Sequence, residues 1–484
     1  MILSFVISGV IALILILIAR THQTMNIPSL LHPLAIFILG VLDFRNKILP
    51  AMYLKGYFSV DFLSLLLVVV SAVLFFLAAL YARGYVQRLI EEGELPSRNL
   101  KLFYVTLNLL LMALTLAYFA NNLALFWILM ELTTLFSAVL VASLNAKENI
   151  TAALKYVFIA GTAMLFSFVG LILLFTASQH ALGKGTLNFD VLLSNASTFQ
   201  PAVFALAFIF IFIGFAAKSG IVPFHSWLPP VYAKAPSAVS VLLAGSVSSV
   251  GMYGLLRITA LARHSSAQHF TSTLLIFFGI LSIAIAVFSM FPRTNIKKLI
   301  AFSSVENMGL MVLGMGIGSP VAIFWVIFHS IAHAFSKALL FFSAGILHRQ
   351  YHSAKMEAVK DALQLQPMAS WGLILGTLSI IGMPFFPLFF SKMFLLIELG
   401  KVSGWLVLLV LLLLLIAASA FAFLLMRMFS QRAEEGKKQA RWEVPRTMGL
   451  SVLFSLLIVI LLGIYFPSSL QNIITTIVTQ LGFN

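Results

Sequence analysis

The sequence predicts an all-α polytopic membrane protein of about fourteen transmembrane helices. Three observations carry this expectation. The 484 residues are 61% hydrophobic and only 9% charged, with a mean hydropathy of +1.07, whereas a soluble domain carries about 25% charged residues. Apolar runs recur at roughly 20-residue lengths, which a helix needs to cross a hydrocarbon core of ~30 Å. Runs such as LVLLVLLLLLIAAS do not alternate as the strands of a membrane barrel do.

The first run, MILSFVISGVIALILILIAR, has neither a basic leading region nor an obvious cleavage site, and reads as an uncleaved first span. The fourteen spans begin near Ile2, Pro28, Val60, Lys101, Leu123, Thr151, Pro201, Ser237, Thr271, Leu299, Val321, Met368, Gly404 and Met448. No stretch reads as a soluble domain. Residues 1–484 are one integral membrane unit, with N-terminal helices over 1–100, a first repeat over 101–265, a second over 266–430, and a loop and last helix over 431–484.

Cationic residues in short loops mark the inner side of a membrane. With the N-terminus outside, the alternating inner loops collect nineteen: Arg20, Arg83, Arg88, Arg98, Lys101, Lys147, Lys234, Arg293, Lys297, Lys298, Arg349, Lys355, Lys360, Arg427, Arg432, Lys437, Lys438, Arg441 and Arg446. The outer loops collect seven: Arg45, Lys47, Lys55, Lys184, Arg257, Arg263 and Lys401. Both termini are therefore expected outside a cytoplasmic (inner) membrane. The net charge of +15 belongs to loops rather than to one face, so nucleic acid is not an expected partner. The chain has no cysteine, which excludes disulfides, thiolate metal sites and cysteine-held Fe–S clusters. No cofactor or metal is expected in this chain, and any redox centre must sit in another.

Four lysines remain, Lys155, Lys218, Lys337 and Lys392, all inside predicted spans. Glu131 lies about eight residues into its span, ~12 Å deep at 1.5 Å per residue. Glu306 lies in FSSVENMGLMVLG, and His329, His333 and Lys337 are spaced by four on one helix face. A charge at the centre of a span costs ~2.5–3.5 kcal/mol even on lenient insertion scales, so these groups must be paired, hydrated or neutral. Burial disfavours the charged form of amines and carboxylates alike. An array of both thus exchanges protons readily, as a relay requires. Two histidines four apart also suit zinc, but no cysteine or HExxH glutamate accompanies them. A static Glu131–Lys218 ion pair and a snorkelling Lys155 are the plainer readings of those residues. Glu306 could instead pair with Lys297 or Lys298, and Asp61 could cap the helix it begins.

Sliding the chain by about 174 residues lays Lys218 on Lys392, Lys155 on His329 and Glu131 beside Glu306. Five helices separate the copies, so the second is inverted in the membrane, an architecture of ion-translocating proteins. In GFAAKSGIVPFHSWLPP, Gly220 and Pro223 break the span between Lys218 and His225. The freed backbone groups are tolerated where a polar cavity meets them, and His225 is a candidate to bind water there.

Six stretches, ELTTLFSAVLV, AALKYVFIAG, KSGIVPFHSWLPP, APSAVSVLLAG, NIKKLIAFSSVENMGLMVLGMGIGSP and HSIAHAFSKALLF, give the chain a family resemblance. It resembles the proton-conducting antiporter-like membrane subunits of complex I, Mrp antiporters and membrane-bound hydrogenases, nearest the hydrogenase-4 component F group. The resemblance spans about Gly56 to Leu462. It implies fourteen helices with two inverted five-helix repeats containing broken helices. It implies Glu131 and Lys218 as the first charge pair, Lys155 as a lysine of the next helix, His329, His333 and Lys337 as the central relay, and Lys392 as the exit lysine. The chain departs at Ser249, where complex I members often carry lysine, and at Pro230, where relatives often carry aspartate.

The expected function is proton translocation, with sodium the alternative ion, in a membrane-bound redox complex of hydrogenase-4 or formate-hydrogenlyase type. The chain has no catalytic centre of its own. Its expected partners are other membrane subunits, soluble redox subunits carrying Fe–S or Ni–Fe centres, and lipid. Two other readings are a Mrp-type cation/proton antiporter subunit without redox partner and a passive membrane anchor for a soluble enzyme.

Overall fold

A computed structural model describes every residue except 1, 47–48, 145, 292, 431–439 and 484. Lys47, Arg432, Lys437 and Lys438, counted above among the loop bases, lie outside the described residues. Among those described, twelve helices are long and apolar enough to cross a membrane. In lipid every backbone group must be satisfied within its own segment, which leaves the helix as the available form for such runs. Beside these twelve stand two shorter structures. The first is Ile2–Ile18. The second is a pair, Pro367–Ile381 and Pro387–Val402.

Loops gather on two faces. On one, a hairpin pairs Ala51–Tyr53 with Phe58–Val60. The Tyr57 carbonyl accepts from the Asn121 N–H at 2.9 Å, and the Asn121 carbonyl accepts from the Phe189 N–H at 2.8 Å. On the other, Arg349 donates to Glu92 at 2.6 Å and Glu94 at 2.8 Å, and Asn295 bridges Lys355. Asp61 does cap its helix: its Oδ1 accepts from the Ser64 N–H at 2.8 Å.

Two spans are broken at left-handed glycines, Gly220 (φ 79°) and Gly382 (φ 85°). After Pro201–Ser219 the chain turns at Gly220, makes a short 3-10 turn over Phe224–Trp227 and resumes helix at Leu228–Lys234. The second break lies between Pro367–Ile381 and Pro387–Val402. The two breaks sit on different sides of their lysines. Lys218 precedes its break, Lys392 follows its own, and the two lysines approach the discontinuity from opposite sides. A Cβ on Gly220 would meet Leu228 Cδ1 at 2.3 Å, and a side chain in the left-handed region costs roughly 1–2 kcal/mol by itself. Gly220→Ala is therefore expected to lower the thermal unfolding temperature of the purified protein, whereas Gly404→Ala, with nothing within 4 Å of its Cβ, leaves it unchanged.

A third irregularity is a π-helical turn, Leu243–Val247, between Ser237–Leu242 and Ser248–Arg263. Such turns free carbonyls from the helix ladder. Here the Leu243 carbonyl accepts from the Tyr232 hydroxyl at 2.9 Å and the Ser248 hydroxyl at 3.0 Å. A Cβ on Gly245 would sit 3.5 Å from Ala334 Cβ, so the π turn packs against the Pro320–Tyr351 helix at Ala334. That helix runs through the core, buried at nearly every position from Val326 to Tyr351.

Three elements escaped the sequence reading: the hairpin, the short helix Phe189–Ser194, and the amphipathic helix Ser468–Gln480 that follows the last span. The last buries Ile474, Ile477 and Val478, an i, i+3, i+4 stripe.

Candidate functional site

Each broken span carries a cluster of charge, with Lys218, Lys392 and Glu306 buried and Glu131 half-buried. In the first, Lys218 is fully buried at the end of Pro201–Ser219. Its ammonium donates to Thr134 Oγ1 at 2.7 Å and to the Tyr156 hydroxyl at 3.2 Å. The Thr134 hydroxyl donates in turn to Glu131 Oε2 at 3.4 Å. Glu131 and Lys218 thus do not form the direct ion pair expected from the sequence. A hydroxyl stands between them, one helical turn from the glutamate. Tyr156 also meets Ser137 Oγ at 3.1 Å and stacks on Trp227 with ring centres 4.1 Å apart. Trp227 in turn donates to the Ala217 carbonyl at 2.9 Å, tying the far side of the break to the turn that carries Lys218.

In the second cluster the ion pair is direct. Lys392 Nζ lies 2.9 Å from Glu306 Oε1, with exposures of 5% and 1%. The lysine also donates to the Ile380 carbonyl at 2.9 Å, at the broken end of the preceding helix. Glu306 Oε2 accepts from Asn307 Nδ2 at 2.9 Å, and Asn307 Oδ1 lies 3.1 Å from His329 Nε2. His329 Nδ1 meets Ser391 Oγ at 2.9 Å. An unbroken string therefore runs Lys392, Glu306, Asn307, His329, Ser391. Glu306 sits deep beside Lys392 and not with Lys297 or Lys298, because it lies more than two turns beyond them on the same helix. Both ring nitrogens of His329 are engaged by protein side chains.

Lys337, also fully buried, donates to the Ile300 carbonyl at 2.6 Å and Ser303 Oγ at 2.5 Å. Ser303 is one turn before Asn307, whose amide donates to the Ser303 carbonyl at 2.7 Å. His333, between His329 and Lys337 on one helix face, is fully buried with neither ring nitrogen bonded to a protein group. Ser246 in the π turn and Ser304 likewise have buried hydroxyls without a protein partner. The centre of the molecule thus holds several polar atoms free to bind water, which commonly makes about three hydrogen bonds in such places.

Two expected residues stand apart. Lys155 is exposed on the outer surface of Lys147–Leu182. The inward stripe of that helix is Ala152, Ala153, Tyr156, Ala160 and Ala163, and Lys155 points away from it. The residue that reaches Lys218 is its neighbour, Tyr156. His225 lies in the 3-10 turn after the break, half-buried, with Nδ1 unpartnered among protein groups. Lys155→Ala is accordingly expected to leave proton movement by the reconstituted assembly unchanged, while Tyr156→Phe slows it.

The sequence reading missed Thr134, Tyr156, Ser303, Asn307 and Ser391. Thr134 is three residues from Glu131, and Asn307 and Ser391 adjoin Glu306 and Lys392. A search for hydroxyls and amides one turn from each buried charge finds most of them.

Residues 120–418 match the family described as NADH:quinone oxidoreductase/Mrp antiporter, transmembrane. The chain belongs to this family. It is an antiporter-like membrane subunit with an all-helical polytopic fold. It is 27% identical over 414 residues to a hydrogenase-4 component F homologue of Methylacidiphilum infernorum, covering 85% of this chain and 86% of that one. It is 28% identical over 442 residues to NADH-quinone oxidoreductase subunit M of Pseudomonas aeruginosa, covering 88% and 82%. A chain of the membrane-bound sulfane sulfur reductase, an archaeal respiratory membrane complex, superposes with a TM-score of 0.86 at 24% identity over 99% of this chain and 96% of that one. That likeness shows the shared fold.

Proposed function

We propose that the chain moves protons across the membrane through its buried lysine, glutamate and histidine groups, as one subunit of a larger membrane-bound redox complex. The observation that carries this is the pair of amine clusters at broken helices, Lys218 with Thr134, Tyr156 and Glu131, and Lys392 with Glu306, flanking a core of unpartnered polar atoms around His333. Amines, carboxylates, hydroxyls and imidazoles within hydrogen-bond reach are the groups that pass protons. A passive anchor has no use for them, and at ~2.5–3.5 kcal/mol each on the insertion scale they are costly to keep.

Two five-helix repeats, within 101–265 and 266–430, each contribute one cluster. The relay runs from Glu131, Thr134, Lys218 and Tyr156 through hydrated groups beside the π turn to His333 and Lys337. From there it passes by Ser303 and Asn307 to His329, Glu306 and Lys392. His225 lines the broken first span. Changes imposed by partner subunits on the Thr134-bridged Glu131–Lys218 pair drive the proton forward. The hydrogenase-4 component F homologue favours a partner set of further membrane subunits and soluble subunits with Fe–S or Ni–Fe centres, with the proton as coupled ion. The bias of Lys and Arg toward the face opposite the hairpin supports a cytoplasmic membrane with both termini outside.

The test is to purify the chain with its accompanying subunits, reconstitute the assembly in liposomes and follow internal pH during electron transfer. Glu131→Gln is expected to slow proton movement by roughly 10²-fold, the scale of a lost proton-transfer group, while electron transfer continues. Unimpaired proton movement in that variant would overturn the reading. The Mrp part of the family description supports a second reading. Sodium-driven pH change with no electron donor, in vesicles holding only membrane subunits, would favour it.

A further inference from the structure

A relay buried this deeply needs a passage to water, and the hairpin face carries one. Beneath the hairpin and the Ser468–Gln480 helix lies a cavity of about 170 Å³ bounded by Asp61, Asn121, Asp190, Arg257 and Gln480. A second, of about 10 Å³, continues from Ser59 and Arg257 to Tyr253. A third, of about 20 Å³, starts at Tyr253 and reaches Ser249 and Ser330 between four core helices. Neighbouring cavities share a wall, at Arg257 between the first two and at Tyr253 between the last two. Ser330 is three residues before His333, on adjoining turns of one helix. The string therefore ends one turn from the unpartnered histidine. A void needs roughly 10–15 Å³ to hold a water. The first cavity holds several and each of the others about one, so the inner two are necks.

Arg257 stands where the wide cavity meets the necks. It is 8% exposed, ion-paired with Asp61 Oδ2, and donates to the Tyr253 hydroxyl at 2.9 Å. Its guanidinium lies 4.6 Å from the centre of the Phe189 ring. Asp61 is held in place because its other oxygen caps the Phe62–Glu91 helix. The arginine is therefore the movable partner of the pair, and in the paired position its guanidinium already lies over the Phe189 ring.

We propose that these cavities are the passage by which the relay exchanges protons with water on the hairpin face, and that Arg257, held between Asp61 and Tyr253, is its gate. The proposal rests on the translocation reading above and adds a place of entry to it. Paired with Asp61, the arginine side chain fills a neck about one water wide, and its displacement opens that neck.

The chain has no cysteine, so Ser59→Cys, Ser249→Cys and Ser330→Cys each introduce a single thiol. The assembly is placed in sealed vesicles with the hairpin face outward and exposed to Ag⁺, a water-sized thiol reagent. Remaining thiols are counted with a maleimide after solubilisation. Ser59→Cys, at the wide cavity, reacts at once. Ser249→Cys and Ser330→Cys react slowly alone and at least about tenfold faster with Arg257→Gln, which breaks the Asp61 ion pair and shortens the side chain at the neck. Ser379→Cys, which lines none of the cavities, stays unreactive. Reaction at Ser379→Cys in the Arg257→Gln background marks a disturbed fold, and Asp61→Asn then replaces Arg257→Gln in the same comparison. Protection of Ser249→Cys and Ser330→Cys in the gate background, while Ser59→Cys reacts, overturns the proposal. Thiol reactivity is independent of flux. A closed passage therefore removes this inference alone, and unimpaired proton movement in Glu131→Gln removes the translocation reading alone.

Discussion

Replacing Glu306 by glutamine should both stop proton movement and weaken the fold. Glu306 is the direct partner of Lys392, at 2.9 Å and with almost no access to solvent. Removing one member of a buried pair leaves the other charge uncompensated, at a cost of about 3–5 kcal/mol. Lys392 would keep the Ile380 carbonyl and, at most, a neutral amide oxygen as acceptors, with no carboxylate to balance its charge. Replacing both by apolar or neutral groups is often close to neutral for stability. The double variant Glu306→Gln/Lys392→Met is therefore expected to regain most of the lost unfolding temperature in detergent while remaining inactive in proton movement. Recovery of stability without recovery of flux separates the structural contribution of the pair from its transport role. A double variant as unstable as Glu306→Gln alone would show that the direct pair is not what the single change disturbs.

Lys218→Met should behave differently. This lysine is fully buried but bonds to hydroxyls, Thr134 and Tyr156, with the carboxylate of Glu131 one step further away. Its charge has little direct compensation, so an apolar replacement of similar length relieves a desolvation cost. Thr134, Tyr156 and Ser137 retain one another and Glu131 as partners. The unfolding temperature is expected to hold or rise, while proton movement falls by roughly 10²–10⁴-fold, the range for a lost acid–base group. Thr134→Val tests the same link from its middle: it keeps the shape, removes the bridging hydroxyl and is expected to slow proton movement without removing either charge. A Thr134→Val assembly that pumps normally would mean that Glu131 and Lys218 communicate by another route.

The difference between the clusters was only partly legible in the sequence. Composition and the length of the apolar runs gave the membrane class, because lipid imposes the helix on any such run. The buried charges stood out because they are rare in apolar surroundings. Their partners were not visible in the same way. Glu306 stood out as a buried charge, but the sequence offered Lys297 or Lys298 as its partner because they precede it in the chain. Lys392, its actual partner, is 86 residues away and reaches it only because the second broken span folds back. Lys155 read as buried because hydropathy averages over a helix and does not say which side faces inward. The Ala152, Ala153, Tyr156, Ala160 stripe carries that information and places the lysine one position off it. Asp61 was legible as a cap from its place before an apolar run, but its contact with Arg257, 196 residues distant, was not. The π turn leaves no clear sequence mark beyond small residues at Ala244, Gly245 and Ser246.

The claim on which the rest depends is that the two amine clusters are joined through the centre of the molecule, and His333 is the residue on which that junction turns. It is fully buried, lies between His329 and Lys337 on the helix that packs against the π turn at Ala334, and keeps both ring nitrogens clear of protein partners. The decisive measurement is the number of protons moved per electron by the intact assembly carrying His333→Leu, in liposomes, with Lys218, Glu306 and Lys392 unchanged. A joined relay predicts that this ratio falls by the full contribution of the subunit while electron transfer persists. A ratio equal to that of the unaltered assembly would contradict a path through the centre.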